Sequence, residues 1–324
     1  MTTLKLVNNT GLISERNLCY INTELQLLFS IPEVNEFFVS KKYRESCTQK
    51  LPICDEISRI FGTRGQFPTS AAELRRQVGR FHGRRDICDG AQQDLLEFHT
   101  LLLTTIEDEL ATVGYRAMSF LIKFRGKERT RKVFLHTRDG RCTKGHSVRT
   151  DEVEFEVIKI DVPSTKRKLS LNNLVNNKFG ERTETVYMKC SDCCQHTSNC
   201  PQNGPCKLAA ASSKTELVST PDLLLIQLLR FRDYQHCKIE TEITPENILT
   251  LPNNDKYKLV SIGNHLGTFI NNGHYQAVVK HGTTWFKADD SHVTETSWMN
   301  EITGNNYILV YRKFSTQKPF IATD

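Results

Sequence analysis

Asn17-Leu18-Cys19-Tyr20-Ile21-Asn22 marks the point where a segment without helical period gives way to one that has it. Ile21, Leu25, Leu28 and Phe29 fall at i, i+4, i+7 and i+8, which predicts a helix from Cys19 to about Ser30, ended by Pro32. A thiol is a weak nucleophile until it ionises, and the partial positive charge at a helix start favours the thiolate. Near the other end of the chain Gly273-His274-Tyr275 opens a strand, and Asp289-Asp290 follows at the end of the next. Cys19 as nucleophile, His274 as its base and Asp289 as the carboxylate that fixes the imidazole make a complete set for covalent catalysis. Taken singly, each reads as structural: a core cysteine, a strand histidine, an acidic turn. Their order, cysteine early with histidine and acid late, points to a thiol hydrolase.

The segments around this set divide the chain. Ser70-Ala71-Ala72-Glu73 reads as a capping box that opens a helix to about Phe81. Gln92 to Leu110 carries Leu95, Phe98, Leu102, Ile106 and Leu110 at three- and four-residue spacing, the strongest helical pattern present. After Tyr115 short β-prone runs take over: Phe155–Val162, Thr185–Met188, Leu223–Phe231, Tyr257–Ile262, Tyr275–Lys280, Trp285–Ala288 and Tyr307–Phe314. Residues 195–218, rich in Ser, Asn, Gln and Ala, read as a long loop. A helical first third followed by mainly antiparallel sheet is an α+β arrangement.

Composition sets the class. The chain has 324 residues, 38% of them hydrophobic and 25% charged, enough to bury a core. The formal charge of +6 is spread along the chain, and the one dense basic stretch, Lys127 to Lys132, is short and poor in aromatics, which argues against nucleic-acid binding. Residues 1–18 lack the apolar run of a signal peptide, and the longest apolar runs, Leu101–Leu103 and Leu223–Leu229, are far too short to span a bilayer. The expectation is an intracellular protein, cytoplasmic or nuclear, monomeric and without membrane or nucleic-acid partner. Eleven cysteines, five of them within residues 190–206, suggest metal ligation in a reducing compartment.

The residues also carry a family resemblance that covers the chain from about Gly11 to Arg312. Gly11-Leu12 with Asn17–Asn22 and Leu25-Gln26 resembles the cysteine box of the ubiquitin-specific proteases, which are papain-like cysteine peptidases. Gln92-Gln93-Asp94-Leu95-Leu96-Glu97-Phe98 resembles their glutamine–aspartate helix. Asn264-His265-Leu266-Gly267, Gly273-His274-Tyr275, Trp285–Ser291 and Tyr307–Tyr311 resemble their histidine box, with Pro221–Phe231 the strand ahead of it. The resemblance implies one catalytic domain over 1–324: a helical thumb bearing the nucleophile (about 11–120), a segment of mainly β fingers (about 121–222) and a β palm bearing His274 and Asp289 (about 223–314). It implies thiol-dependent hydrolysis of the (iso)peptide bond after the C-terminal Gly-Gly of ubiquitin. Gln93, Asp94 and Tyr275 stand at substrate-binding positions, with Asp94 suited to pair with ubiquitin's basic tail, and Asp290 is an auxiliary acid.

Two departures from the family pattern bear on the chemistry. Ser14 stands where the family has an oxyanion-donating asparagine, Arg16 replaces a glycine, and Leu18 precedes the nucleophile. In the fingers, where many relatives bind structural zinc through two Cys-x-x-Cys pairs, Cys190 and Cys193 are in place. The other pair is reduced to Cys142, with His146 as the fourth candidate ligand and Cys194, His196, Cys200 and Cys206 as spares. No cofactor is expected for catalysis. Besides an active deubiquitinase, the sequence leaves open a protease for a ubiquitin-like modifier with the same Gly-Gly end, and a catalytically impaired ubiquitin-binding module.

Overall fold

The computed structural model describes residues 11–45, 47–63, 68–115, 123–134, 147–186, 209–231, 238–270 and 272–314. Its first part is helical: α1 (Cys19–Phe29), α2 (Pro32–Val39), α3 (Pro52–Thr63), α4 (Ala72–Phe81), α5 (Arg85–Asp89) and α6 (Leu95–Thr112). Strands follow: β1 (Gly126–Phe134), β2 (Ser147–Phe155), β3 (Val157–Asp161) and β4 (Leu169–Ser170), then helix α7 (Leu171–Lys178), β5 (Glu181–Val186), β6 (Ala209–Ser219) and β7 (Leu223–Leu229). The rest is β8 (Ile243–Thr244), β9 (Ile248–Thr250), β10 (Lys256–Phe269), β11 (Asn272–His281), β12 (Thr284–Asp289), β13 (His292–Thr296) and β14 (Asn306–Lys313). The expected α+β class is the one found.

α1 begins at Cys19 as its pattern predicts, but it is buried nearly all round, from Cys19 through Leu28. Its apolar face packs on α6, where Tyr20 meets Phe98 edge-to-face at 5.2 Å. Its polar residues Asn22 and Glu24 are buried as well and each finds a partner, Asp290 and His99. Leu95, Phe98, Leu102, Ile106 and Leu110 of α6 all point into the same core. Asp94 caps α6, its Oδ1 accepting from the N–H groups of Leu96 and Glu97 at 3.0 Å each, so the helix starts three residues later than its pattern suggests.

Eight strands form the palm sheet, in the order β13-β12-β11-β10-β14-β7-β3 with β9 added beside β10. All its pairs are antiparallel except β3 with β7. β7 is an unbroken apolar run because both its faces are covered: Leu223 and Leu225 join the helical core, while Leu224, Ile226 and Leu228 join a second core with Val175 of α7. β2-β1-β6-β5 make a separate four-stranded sheet, and β4 and β8 a two-stranded parallel one.

Three local expectations are corrected, and one helix is added. Pro32 opens α2 at its first turn, where the missing N–H costs nothing, and α1 ends earlier, at Phe29. Ser70 accepts a hydrogen bond from the Ala72 N–H at 3.1 Å, but Glu73 turns outward to Arg76 and Gln77, so no reciprocal capping box forms. Ala209–Ser219, all but its last residue inside the segment read as a loop, is a strand held between β1 and β5. α3 adds a helix whose Ile53, Ile57, Ile60 and Phe61 carry the same spacing as α1 and are buried.

Candidate active site

Cys19, the candidate nucleophile, is delivered by a tight loop. Arg16 and Asn17 both adopt left-handed backbone, with φ of 35° and 59°, which turns the chain sharply into α1. That conformation is unfavourable for an arginine, and the surroundings hold it. Buried Arg75 donates from Nη1 to the Arg16 carbonyl at 2.7 Å, and Asn17 Nδ2 donates to the Gly90 carbonyl at 3.1 Å. Gly90 suits glycine because its φ is 87°, and a Cβ there would also press on the Arg75 guanidinium, 2.9 Å from Nη1. Cys19 then takes the first position of α1, a helix start without a side-chain cap, where the first N–H groups have no partner within the helix and its dipole is positive.

His274 lies near the start of β11 and Asp289 ends β12. His274 Nε2 meets Asp289 Oδ1 at 2.6 Å, leaving Nδ1 for the sulfur. Gln276, two residues along β11 and therefore on the same face, donates from Nε2 to Asp289 Oδ2 at 2.6 Å. The hydrogen bond with Cys19, and after it the one with Asp289, outweighs burial and raises His274 to about 9. At neutral pH the imidazole therefore carries its proton. An imidazolium and a helix start then converge on one sulfur.

Two further groups complete the junction between helices and palm. Gln92 Nε2 donates to the Gly273 carbonyl at 2.8 Å and lies 3.9 Å from Cys19 Sγ. Asn22, buried one turn along α1 from the nucleophile, donates from Nδ2 to Asp290 Oδ1 at 2.8 Å and to the Ile13 carbonyl at 3.2 Å. Asp290 sits at φ 49° and presents its carbonyl to the Leu12 N–H at 2.9 Å. Gly11 passes so close to the Asp290–Ser291 backbone that a Cβ would overlap the Asp290 carbonyl, at 1.9 Å. A cysteine at a helix start facing a histidine–aspartate pair, on this fold, is the arrangement the sequence resemblance implies.

The family model described as ubiquitin carboxyl-terminal hydrolase matches residues 10–311, nearly the whole chain. The chain belongs to the ubiquitin carboxyl-terminal hydrolase family. Among proteins it is similar to is ubiquitin carboxyl-terminal hydrolase 36 of Drosophila simulans, 25% identical over 93% of this chain and 31% of that protein. Another is ubiquitin carboxyl-terminal hydrolase 17-like protein B of Mus musculus, 23% identical over 93% of this chain and 63% of that protein. The chain thus spans less than two thirds of the length of these relatives. Its fold is similar to that of a chain in the SAGA Ubp8/Sgf11/Sus1/Sgf73 DUB module bound to ubiquitin aldehyde. The TM-score is 0.75 at 19% identity, covering 95% of this chain and 70% of that one.

Within this hydrolase-family framework the structure brings Cys19, His274, Asp289 and Asp290 together. Ser14 lies exposed on the loop before the nucleophile. Asp94 is half-buried: besides capping α6 with Oδ1, it accepts the Tyr307 hydroxyl on Oδ2 at 2.6 Å, and burial raises its carboxyl above the usual range. Gln93 is buried, donating to Asp86 and accepting from Arg84. Tyr275 is fully buried, its ring 4.7 Å from that of His265. The expected zinc ligands Cys142, His146, Cys190 and Cys193, and the spares Cys194, His196, Cys200 and Cys206, lie outside the described residues.

Gln92, Asn22 and Gln276 are the site residues that sequence reasoning does not single out. For Gln276 a cue exists, the two-residue offset from His274 that puts both on one face of a strand. For Gln92 the cue is ambiguous, because two glutamines stand side by side and periodicity does not say which turns to the sulfur.

Below the site lies an unusual basic cluster. His265 is fully buried against Phe231, Tyr275 and Tyr307, and burial, with Lys238 and His274 nearby, lowers it to about 4. Burial likewise lowers Lys238 to about 8; its ammonium donates to the His265 carbonyl and, at 2.6 Å, to Asn305 Oδ1. His265 is therefore neutral where His274 is charged, so two histidines nine residues apart in the chain divide between the buried core and the cysteine site.

Proposed function

We propose that this chain is a thiol-dependent deubiquitinase, hydrolysing the (iso)peptide bond after the C-terminal Gly-Gly of ubiquitin. The observation that carries the reading is the 2.6 Å His274–Asp289 pair poised at the helix-borne Cys19 sulfur. The sulfur's electron pair forms a bond to the scissile carbonyl carbon, and the carbonyl π pair moves onto oxygen. When that pair returns, the C–N bond breaks and the amine leaves with the proton from His274 Nδ1. A thioester on Cys19 remains. His274, now neutral, takes a proton from water as it attacks, and the second collapse frees the carboxylate and the thiolate. Asp289 keeps the imidazole in one orientation through both steps, and Gln276 keeps Asp289.

Asp94 is the proposed partner for the basic tail of ubiquitin, since part of it stays accessible and a carboxylate can accept more bonds than the three it has here. Three thiols and an imidazole, Cys142, Cys190, Cys193 and His146, are a donor set that suits zinc, and we propose a structural site there. Elemental analysis of purified protein against a Cys190→Ser variant tests it; wild-type protein free of zinc would reject the site.

The deciding assay incubates wild-type and Cys19→Ala protein with ubiquitin, and separately with ubiquitin-like modifiers, each carrying an electrophilic C-terminus. A covalent adduct with ubiquitin, absent in the variant, is the expected result. Adduct with a ubiquitin-like modifier alone would reassign the substrate, and ubiquitin binding without adduct would make the chain a binding module.

A further inference from the structure

We propose that Gln92 donates the side-chain hydrogen bond that stabilises the oxyanion formed when Cys19 attacks. The inference rests on the thiol-hydrolase reading and adds the residue that meets the developing charge. Acyl transfer places negative charge on the former carbonyl oxygen, and a side-chain donor waiting for it is among the largest contributions an active site makes. Ser14 offers only a short hydroxyl from an exposed loop.

The other polar groups around Cys19 are spoken for or have the wrong chemistry. Asn22 spends both amide protons, on the Ile13 carbonyl and on Asp290. Gln276 gives its amide to Asp289, Gln93 to Asp86, and Asn17 to the Gly90 carbonyl. Asp289 and Asp290, as carboxylates, accept hydrogen bonds and donate none. His274 faces the sulfur but is committed to proton transfer. Gln276, Gln93 and Asn17 each keep a second amide proton as well, but of these four amides Gln92 is the one whose nitrogen approaches Cys19 Sγ. Gln92 Nε2 has two protons; one is fixed on the Gly273 carbonyl at 2.8 Å, and Nε2 also donates toward Cys19 Sγ, at 3.9 Å.

The distance suits an oxyanion better than a sulfur. The oxygen forms one bond away from the carbon that joins Sγ, so it grows into the space between sulfur and amide. A donor 3.9 Å from Sγ then falls near the reach of about 2.7–3.1 Å that an oxyanion donor needs. The Gly273 anchor matters equally. It fixes the amide before substrate arrives, on the residue next to His274, so donor and proton carrier move together. The N–H of Cys19 at the start of α1 is the natural second donor.

The test uses three readouts on wild-type, Gln92→Met and Gln92→Glu protein; methionine keeps the bulk and glutamate the shape, and neither can donate when the acid is ionised. Turnover of ubiquitin with a fluorogenic C-terminal amide should fall on the order of 100- to 1000-fold in kcat, with KM changed less than threefold. Inhibition by ubiquitin aldehyde, which forms a tetrahedral adduct on the sulfur, should weaken by a similar factor. Alkylation of Cys19 by iodoacetamide displaces iodide without making an oxyanion, so its rate and pH profile should stay as in wild type. Wild-type-like kcat in both variants would overturn the assignment, as would a loss confined to KM. Alkylation slowed in step with kcat would overturn it too, by making Gln92 a positioning residue for the sulfur. Wild-type protein that forms no adduct and turns nothing over would remove the hydrolase reading itself, an outcome distinct from an active wild type with equally active variants.

Discussion

Asn22 and Asp290, 268 positions apart in the chain, are joined by a 2.8 Å hydrogen bond that ties the nucleophile's helix to the strand end bearing Asp289. Neither residue takes a proton in the proposed chemistry. Their link sets the distance across which Cys19 and His274 meet, and a small misplacement of reacting groups is expensive. Asp290→Ala should therefore lower kcat by roughly tenfold to a hundredfold, whereas Asp290→Asn, which keeps an acceptor oxygen, should retain most of it. Equal loss in both variants would show that the charge, not the link, is what matters.

The proton on His274 gives activity a predictable alkaline limit. Leaving-group protonation requires the imidazolium, so kcat should fall as pH rises through about 9. Asp289→Asn keeps an acceptor oxygen but removes the negative charge that helps hold the proton, and the limb should move to lower pH. The same shift acts on stability with a definite sign: a histidine raised above its ordinary 6.5 contributes fully below that value and loses its contribution as pH passes about 9. Thermal denaturation of wild type and His274→Gln across pH 6 to 10 should converge at the alkaline end, and a constant gap would refute the assignment.

His265 works in the opposite direction. Neutral in the fold and titrating near 4, it binds its proton more readily when the chain unfolds. Stability should be complete above about 6.5 and decline as pH falls toward 4, by up to about 1.4 kcal/mol per pH unit from this one residue. His265→Phe, which can stack in the same aromatic surroundings, should flatten that acid slope in denaturant titrations. An unchanged slope would mean that another group governs acid sensitivity.

Glu24 and His99 form a buried pair between α1 and α6, 2.7 Å apart, with Glu24 Oε2 left unpartnered. Such pairs cost desolvation that their attraction only partly returns. Replacing one partner, as in His99→Leu, should destabilise the protein by about 1–3 kcal/mol, because the buried Glu24 carboxyl loses its hydrogen-bond partner. Replacing both with leucine should be neutral or stabilising by about 1–4 kcal/mol in urea unfolding. A double variant as unstable as the single one would count against this account.

What could be read from the chain depended on how far each cue reaches. Cys19, His274 and Asp289 were legible because their chemistry is specific to residue type, and their segments carry local punctuation for a helix start and strand ends. α6 was legible because five apolar residues repeat at helical spacing and all five are buried. β6 was not, since its alanines and serines have no strand preference of their own and become a strand only by pairing with β1 and β5. The burial of Asn22 and Glu24 was equally hidden, because their partners, Asp290 and His99, come from distant parts of the chain. Gln92 rather than Gln93 facing the sulfur is decided by where α6 begins, and Asp94 sets that start through side-chain bonds that periodicity does not register.

The order of the palm sheet has a consequence for biosynthesis. β14, the last of the described strands to emerge from the ribosome, is not at the sheet's margin but between β10 and β7. Until it inserts, β10, with β11 and His274 beyond it, has no bridge to β7 and the layer behind it. A nascent or truncated chain that ends before Asn306 would carry the nucleophile yet lack the frame that aligns it with its base. The proposed activity should thus arrive abruptly once β14 is in place, and a polypeptide still short of that strand should lack it.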